Sequence, residues 1–192
     1  MRNTLVPIIA VTAALIAGCD DDADSSSNAS SATSTTGTFV DAPAPAPGDA
    51  GPKRATPSSD AGVTVTDIRI GRQPGFARVV YDLGGAGSPG WIVQYTDRAV
   101  QDGSGKVVDV AGQSILEVRI TGSAYPFDSG VTPYSGSDPA TNPDVPGVAG
   151  VYRTLVFEGT TQSFIGVNLD RPNFSVSTLN NPTRLVIDIA TP

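Results

Sequence analysis

From Val63 onward apolar residues recur at every second position, in short runs broken by Gly, Pro, Asn and Asp, and this alternation leaves the chain few folds. The clearest run is 115–120, where Leu116, Val118 and Ile120 share one face and Glu117 and Arg119 the other. Such a segment is a strand with one face on a core and the other in water. Ile165, Val167 and Leu169 alternate likewise with Gly166, Asn168 and Asp170, and Phe174 and Val176 alternate with Ser175 and Ser177. The turn formers Asp170-Arg171-Pro172-Asn173 between them predict two neighbouring antiparallel strands. Further strands are expected near 65–70, 77–83, 91–96, 106–110, 152–157 and 184–189. No window longer than about ten residues carries the helical period. The expectation is an all-β chain, an antiparallel β-sandwich or a barrel of about eight or nine strands.

Two of these strands echo each other. Residues 78–83 (Arg-Val-Val-Tyr-Asp-Leu) and 184–189 (Arg-Leu-Val-Ile-Asp-Ile) both run Arg-apolar-Val-apolar-Asp-apolar. In a strand, Val79, Tyr81 and Leu83 point inward, as do Leu185, Ile187 and Ile189, while the Arg and Asp side chains share the outer face. Paired antiparallel, such strands form cross-strand ion pairs that contribute a few tenths of a kcal/mol each. Trp91 and Tyr95 share a face with Val93, and core packing is their expected role, with sugar stacking as the alternative.

Before the alternating part lie two segments of another character. Residues 1–18 carry Arg2 as the sole charge and an apolar run over 5–16, shorter than the roughly 20 residues of a membrane span. This is the pattern of a signal peptide. Its end, Ala17-Gly18-Cys19, resembles the lipobox of bacterial lipoproteins, in which the cysteine receives a diacylglyceryl group and becomes the mature N-terminus. Cys19 is the only cysteine in the chain. Residues 19–62 hold an acidic run, Ser/Thr/Asn/Ala repeats and Ala-Pro repeats, and they bury too little apolar surface to offset their chain entropy. They are expected to be a disordered tether with a reach of roughly 35 Å. The domain is then placed at 63–192, held to the extracytoplasmic face of the cell membrane.

Composition narrows the chemistry. Histidine is absent, which removes the usual general base, the usual zinc ligand and any Ser-His or Cys-His nucleophile. No metal or other cofactor is expected. After position 61 there are nine basic and twelve acidic residues without a basic stripe, so nucleic acid is not an expected partner. The loop Gly85-Ala86-Gly87-Ser88-Pro89-Gly90 has the spacing of a dinucleotide fingerprint, but a strand follows where that motif needs a helix, and a hairpin loop is the better reading. Asp128, Asp138, Asp144 and Glu158 supply enough carboxylates for a glycosidase-type pair, which makes a carboxylate hydrolase an outside reading. A calcium site around Asp138, Asn142 and Asp144 is a similar outsider.

The stretch 122–147 fits no period. It holds Tyr125, Phe127 and Tyr134 among Pro126, Pro133, Pro139, Pro143 and Pro146, and it exceeds the connections ordinary in compact domains. The prolines limit its entropy, and the aromatic rings offer contact area to a sugar face or a partner's pocket. Asp128, Asp138 and Asp144 add hydrogen-bond acceptors. These six residues are the candidate ligand-binding set. Coverage of an exposed core edge is the competing role.

A family resemblance now enters. Leu179-Asn180-Asn181-Pro182-Thr183-Arg184-Leu185-Val186-Ile187-Asp188 resembles the closing strand of AMIN-type domains. Asp67-Ile68-Arg69-Ile70 followed by Gly75-Phe76-Ala77-Arg78-Val79-Val80-Tyr81-Asp82 resembles the opening hairpin of AMIN-like lipoproteins. The resemblance covers 63–190 and extends to the layout of lipobox, tether and single β-domain. It implies a small β-sandwich that binds peptidoglycan or another wall glycan without catalysis, or docks an envelope protein, from a lipid anchor at Cys19. The stretch 122–147 and the lack of an attached enzymatic domain depart from the AMIN pattern. The resemblance assigns no binding residues.

Overall fold

The structure is a computed structural model and describes residues 48–192. Cys19, the signal and most of the tether lie outside the described residues. Among the described residues nine strands are present: β1 (Lys53–Ala55), β2 (Gly62–Gln73), β3 (Phe76–Ala86), β4 (Gly90–Thr96), β5 (Ser114–Thr121), β6 (Val148–Phe157), β7 (Thr160–Val167), β8 (Phe174–Leu179) and β9 (Arg184–Ala190). They form two antiparallel sheets, ordered β2-β3-β9-β8 and β1-β4-β5-β7-β6, packed as a sandwich. One helical turn, α1 (Pro126–Ser129), interrupts the long segment between β5 and β6.

The alternation does what it predicts in the centre of both sheets. Leu116, Val118 and Ile120 of β5 are fully buried, and so are Leu185, Ile187 and Ile189 of β9 opposite Tyr81, Val79 and Ala77 of β3. Trp91 is buried, its indole N–H donating to Thr178 Oγ1 at 3.3 Å across to β8. Tyr95 packs edge-on against Phe174 and donates its hydroxyl to the Pro172 carbonyl, so both aromatics of β4 serve the core.

The echoed strands β3 and β9 are paired, with Arg78 opposite Asp188. Their ion pair at 2.8 Å is buried, the two side chains being 9% and 1% exposed, rather than the surface pair the pattern suggested. Losing one partner would leave a charge out of water and cost about 3–5 kcal/mol. Asp82, although opposite Arg184, pairs with Arg69 of β2 at 2.8 Å.

Four expectations are corrected. The strands β7 and β8 are not neighbours; residues 168–173 carry the chain from one sheet to the other, because turn residues reverse direction without specifying a partner. Gly85 to Gly90 likewise bridges the sheets instead of closing a hairpin. No strand forms over 106–110. That run belongs to a loop with a single bridge, Val100 to Val107, and the loop lies over the outer face of β7. Gln162 of β7 accepts from the Asp102 N–H and donates to the Val100 carbonyl, and a Cβ on Gly166 would overlap the Ala111 carbonyl. Covered on both faces, β7 is buried at seven of its eight residues and its outer positions are not in water. Lastly, order begins well before position 62, since β1 pairs with β4 and Asp49 bridges Phe174.

The sandwich has two open flanks, and a segment without strand periodicity closes each. Residues 49–58 run along the flank between β4 and β8. Residues 122–147 run along the flank between β2 and β6. Their contacts are the Tyr134 N–H to the Val65 carbonyl, the Asn142 amide to the Ile70 carbonyl, and Ala140 bridged to Val151 through both N–H groups. Uncovered edges of this kind would be templates for aggregation.

Candidate functional site

The segment 122–147 is first pinned to the end of the sandwich where it leaves β5. The Val63 N–H donates to the Gly122 carbonyl, the Ala124 N–H to the Val63 carbonyl and the Ser123 N–H to the Gly159 carbonyl, each near 3 Å. The Ser123 hydroxyl donates to the Ile120 carbonyl and accepts from the Thr161 N–H. With its start fixed, the chain makes the single turn α1. Pro126 supplies the helical φ at the first position, and Gly130 ends the turn at φ 69°, a left-handed conformation suited to glycine. Ser129 Oγ lies 2.7 Å from Thr64 Oγ1 and ties the turn down on β2.

The consequence is a pair of outward-facing rings. Tyr125 and Phe127 stack with centroids 5.3 Å apart and planes within 7°, and Phe127 is 80% exposed. Asp128, also exposed, lies on the same turn. Beside them opens a groove of about 290 Å³. Tyr125, Pro126 and Pro133 form one wall, and Leu155 and Val156 of β6 the other. Thr64 and Thr161 complete the lining, their hydroxyls bonded to the Ala124 carbonyl and to Ser123 Oγ, and Arg153 contributes a cation. The β6 register shifts between Arg153 and Val156, and within this bulge Leu155 is 75% exposed.

The Arg153 side chain is held through Tyr134. Nη1 donates to the Tyr134 carbonyl at 3.1 Å, and the guanidinium lies 5.2 Å above the Tyr134 ring. Its Nε is buried and has no hydrogen-bond partner.

Of the six residues proposed from sequence, the structure brings together Tyr125, Phe127 and Asp128. Tyr134 turns inward against the core, its hydroxyl donating to the Ser137 carbonyl, with burial and then the negative field of Asp67 pushing its phenol up. Asp138 accepts from the Arg153 backbone N–H. Asp144 sits in a turn made by its N–H and the Asn142 side chain, just before the Val145-Pro146-Gly147 wall of a second cavity of about 320 Å³. That cavity lies at the opposite end of the sandwich, among Phe76, Leu169 and Thr191. It lacks both the stacked rings and the unsatisfied donor.

Arg153, Leu155, Thr64 and Thr161 are site residues that the sequence reading missed. The run Leu155-Val156-Phe157 did break alternation, and this was the available signal. The carboxylates Asp128, Asp138, Asp144 and Glu158 occupy four separate turns, and among the described residues no three His, Cys, Asp or Glu side chains converge. The arrangement can therefore stack a ring, clamp an apolar group and donate to an acceptor. A family model described as the AMIN-like domain matches residues 63–191. No curated protein and no solved structure matches the chain.

Proposed function

Because the chain belongs to the AMIN-like domain family, which associates it with the cell wall and envelope in a binding role, we propose that it is a lipid-anchored module whose ligand is peptidoglycan or another wall glycan. The observation that carries this reading is the outward-facing Tyr125–Phe127 stack beside a groove. Aromatic faces bind the C–H faces of sugars, and holding two rings parallel before binding lowers the ordering cost. The anchor rests on Ala17-Gly18-Cys19 at the end of a short apolar run. Two acyl chains, at about 0.8 kcal/mol per buried methylene, suffice for stable attachment. Docking to an envelope protein is the second reading, and the exposed Leu155 favours it.

Sedimentation with purified wall separates the two. The full chain is expected in the pellet without any protein partner, and Phe127→Ala is expected to lower the pelleted fraction several-fold while the urea midpoint holds. Recovery of wild type wholly in the supernatant would refute glycan binding. The anchor is tested by detergent phase partitioning, where wild type should enter the detergent phase and Cys19→Ala the aqueous phase.

A further inference from the structure

At the end of the sandwich away from α1, the inward-facing rows of the β2-β3-β9-β8 sheet lose bulk. Ile68 and Ile70 pack on the core, and alternation puts Arg72 next on that face, in register with Ala77 of β3, itself in register with Ile189 of β9. The terminal row therefore holds a small side chain and a cation where the rows before it hold branched aliphatics. The space this leaves between the sheets is the cavity of about 320 Å³, walled by Phe76, Val145 and Leu169. Its walls are fixed before anything binds. Asn168 holds the Pro146 carbonyl through its side-chain amide and the Gly147 carbonyl through its N–H. The Thr191 N–H donates to the Gly75 carbonyl, and the Arg78 guanidinium lies 5.4 Å over the Phe76 ring. A preformed apolar cavity offers water few partners and an aliphatic group many contacts.

Arg72 gives the cavity a polar end. It also lines an adjoining shallow hollow over the Pro74-Gly75 turn, together with Gln73 and Thr191. No Asp or Glu side chain lines either space, and among the described residues the Arg72 guanidinium has no ion-pair or hydrogen-bond partner. A free guanidinium beside an apolar cavity is complementary to a ligand with an anionic head and an aliphatic body. The chain also enters the domain here. The Gly48 carbonyl accepts from the Asn173 amide, and the Asn173 carbonyl accepts from the Ala190 N–H, one residue before Thr191. On the anchoring reading, this is the end of the domain joined to the lipid surface.

We propose that this end of the sandwich binds a single-chain anionic amphiphile, with the aliphatic chain in the cavity and the carboxylate or phosphate of the head on Arg72. The site is separate from the Tyr125–Phe127 stack, and the inference does not rest on the wall-glycan reading. Binding involves no bond-making step.

The test is calorimetric titration of the full chain carrying Cys19→Ala, which needs no detergent, with amphiphiles below their micelle concentrations. Dodecanoate should bind about tenfold more tightly than dodecyltrimethylammonium, because a charge-assisted pair separates the two, and butanoate should give no measurable heat. Arg72→Gln, at an exposed position, should erase the preference for the anion. Ala77→Leu should fill the cavity and weaken dodecanoate by a similar factor; should it fail to fold, the Arg72 variant still decides. Dodecanoyl lysophosphatidylglycerol is titrated beside dodecanoate, and the tighter of the two names a membrane lipid or a free fatty acid as the source. Absence of binding, equal affinity for anion and cation, or an anion preference that survives Arg72→Gln overturns the proposal. None of these results touches wall sedimentation, so the glycan reading stands or falls by its own assay.

Discussion

The two flanks of the sandwich are closed by different means. On the first, residues 49–58 close the edge as sheet: β1 adds to β4 in register, and the Phe174 N–H donates to the Asp49 carbonyl. Lys53 bonds Asp49 Oδ1 at 2.7 Å and lies 4.3 Å over the Phe174 ring. Pro57 covers Gly90 and Gly122, where a Cβ would leave it no room. Its contacts turn inward. On the second flank, residues 122–147 touch β2 and β6 at a few scattered bonds, bury Tyr134, Ala140 and Val145, and leave Tyr125 and Phe127 outside with Arg153 Nε unsatisfied. An edge sealed by strand pairing consumes its polar groups, whereas an edge sealed by a loop retains groups for a ligand.

The largest test of that contrast is removal of residues 49–58. The β1–β4 ladder contributes about 1 kcal/mol per net hydrogen bond, and the uncovered Phe174 adds to it, so the loss is expected to be about 3 kcal/mol or more in a urea titration. Wall binding per folded molecule should not change. On the other flank, Val145→Ala removes a buried side chain that is 2% exposed and should cost about 2 kcal/mol, showing that the loop's inner side is structural. Its outer side should behave oppositely: Phe127→Ala should move stability by less than about 0.5 kcal/mol while wall binding falls. The smallest effect is one of pH. The hydrogen bond from Lys53 holds the Asp49 carboxyl below its ordinary 3.8, so its contribution is present above that value and lost as pH falls below it. Wild type and Lys53→Met should therefore differ slightly in stability at pH 6 and converge in strong acid.

The contrast also explains what was legible in the sequence. Strands β3, β5 and β9 each place one face on the core, so their alternation located them and their inward residues. Arg78 and Asp188 were correctly put on paired outer faces, but alternation carries no information on how deeply that face is covered. The partner of β7 was misread because Asp170-Arg171-Pro172-Asn173 serves a sheet crossing as well as a hairpin. Lys53–Ala55 has no apolar alternation, since it joins its sheet through backbone, and composition assigned it to the tether. In the site, Tyr125 and Phe127 were legible because they broke the period. Tyr134 broke it too, yet its N–H to Val65 and its carbonyl to Arg153 fold it inward, a long-range outcome. Arg153 gave no signal, because its unsatisfied Nε follows from where the bulge in β6 and the crossing loop place it.

The central claim, that recognition is concentrated on the loop-sealed flank, is tested most directly by mapping backbone amide shifts over residues 48–192 as soluble wall fragments are added. The largest changes are predicted at 123–130 and 153–156, with Thr64 and Thr161 moving and residues 49–58 still. Changes centred on 49–58 and β8, with 123–130 unmoved, would contradict the account.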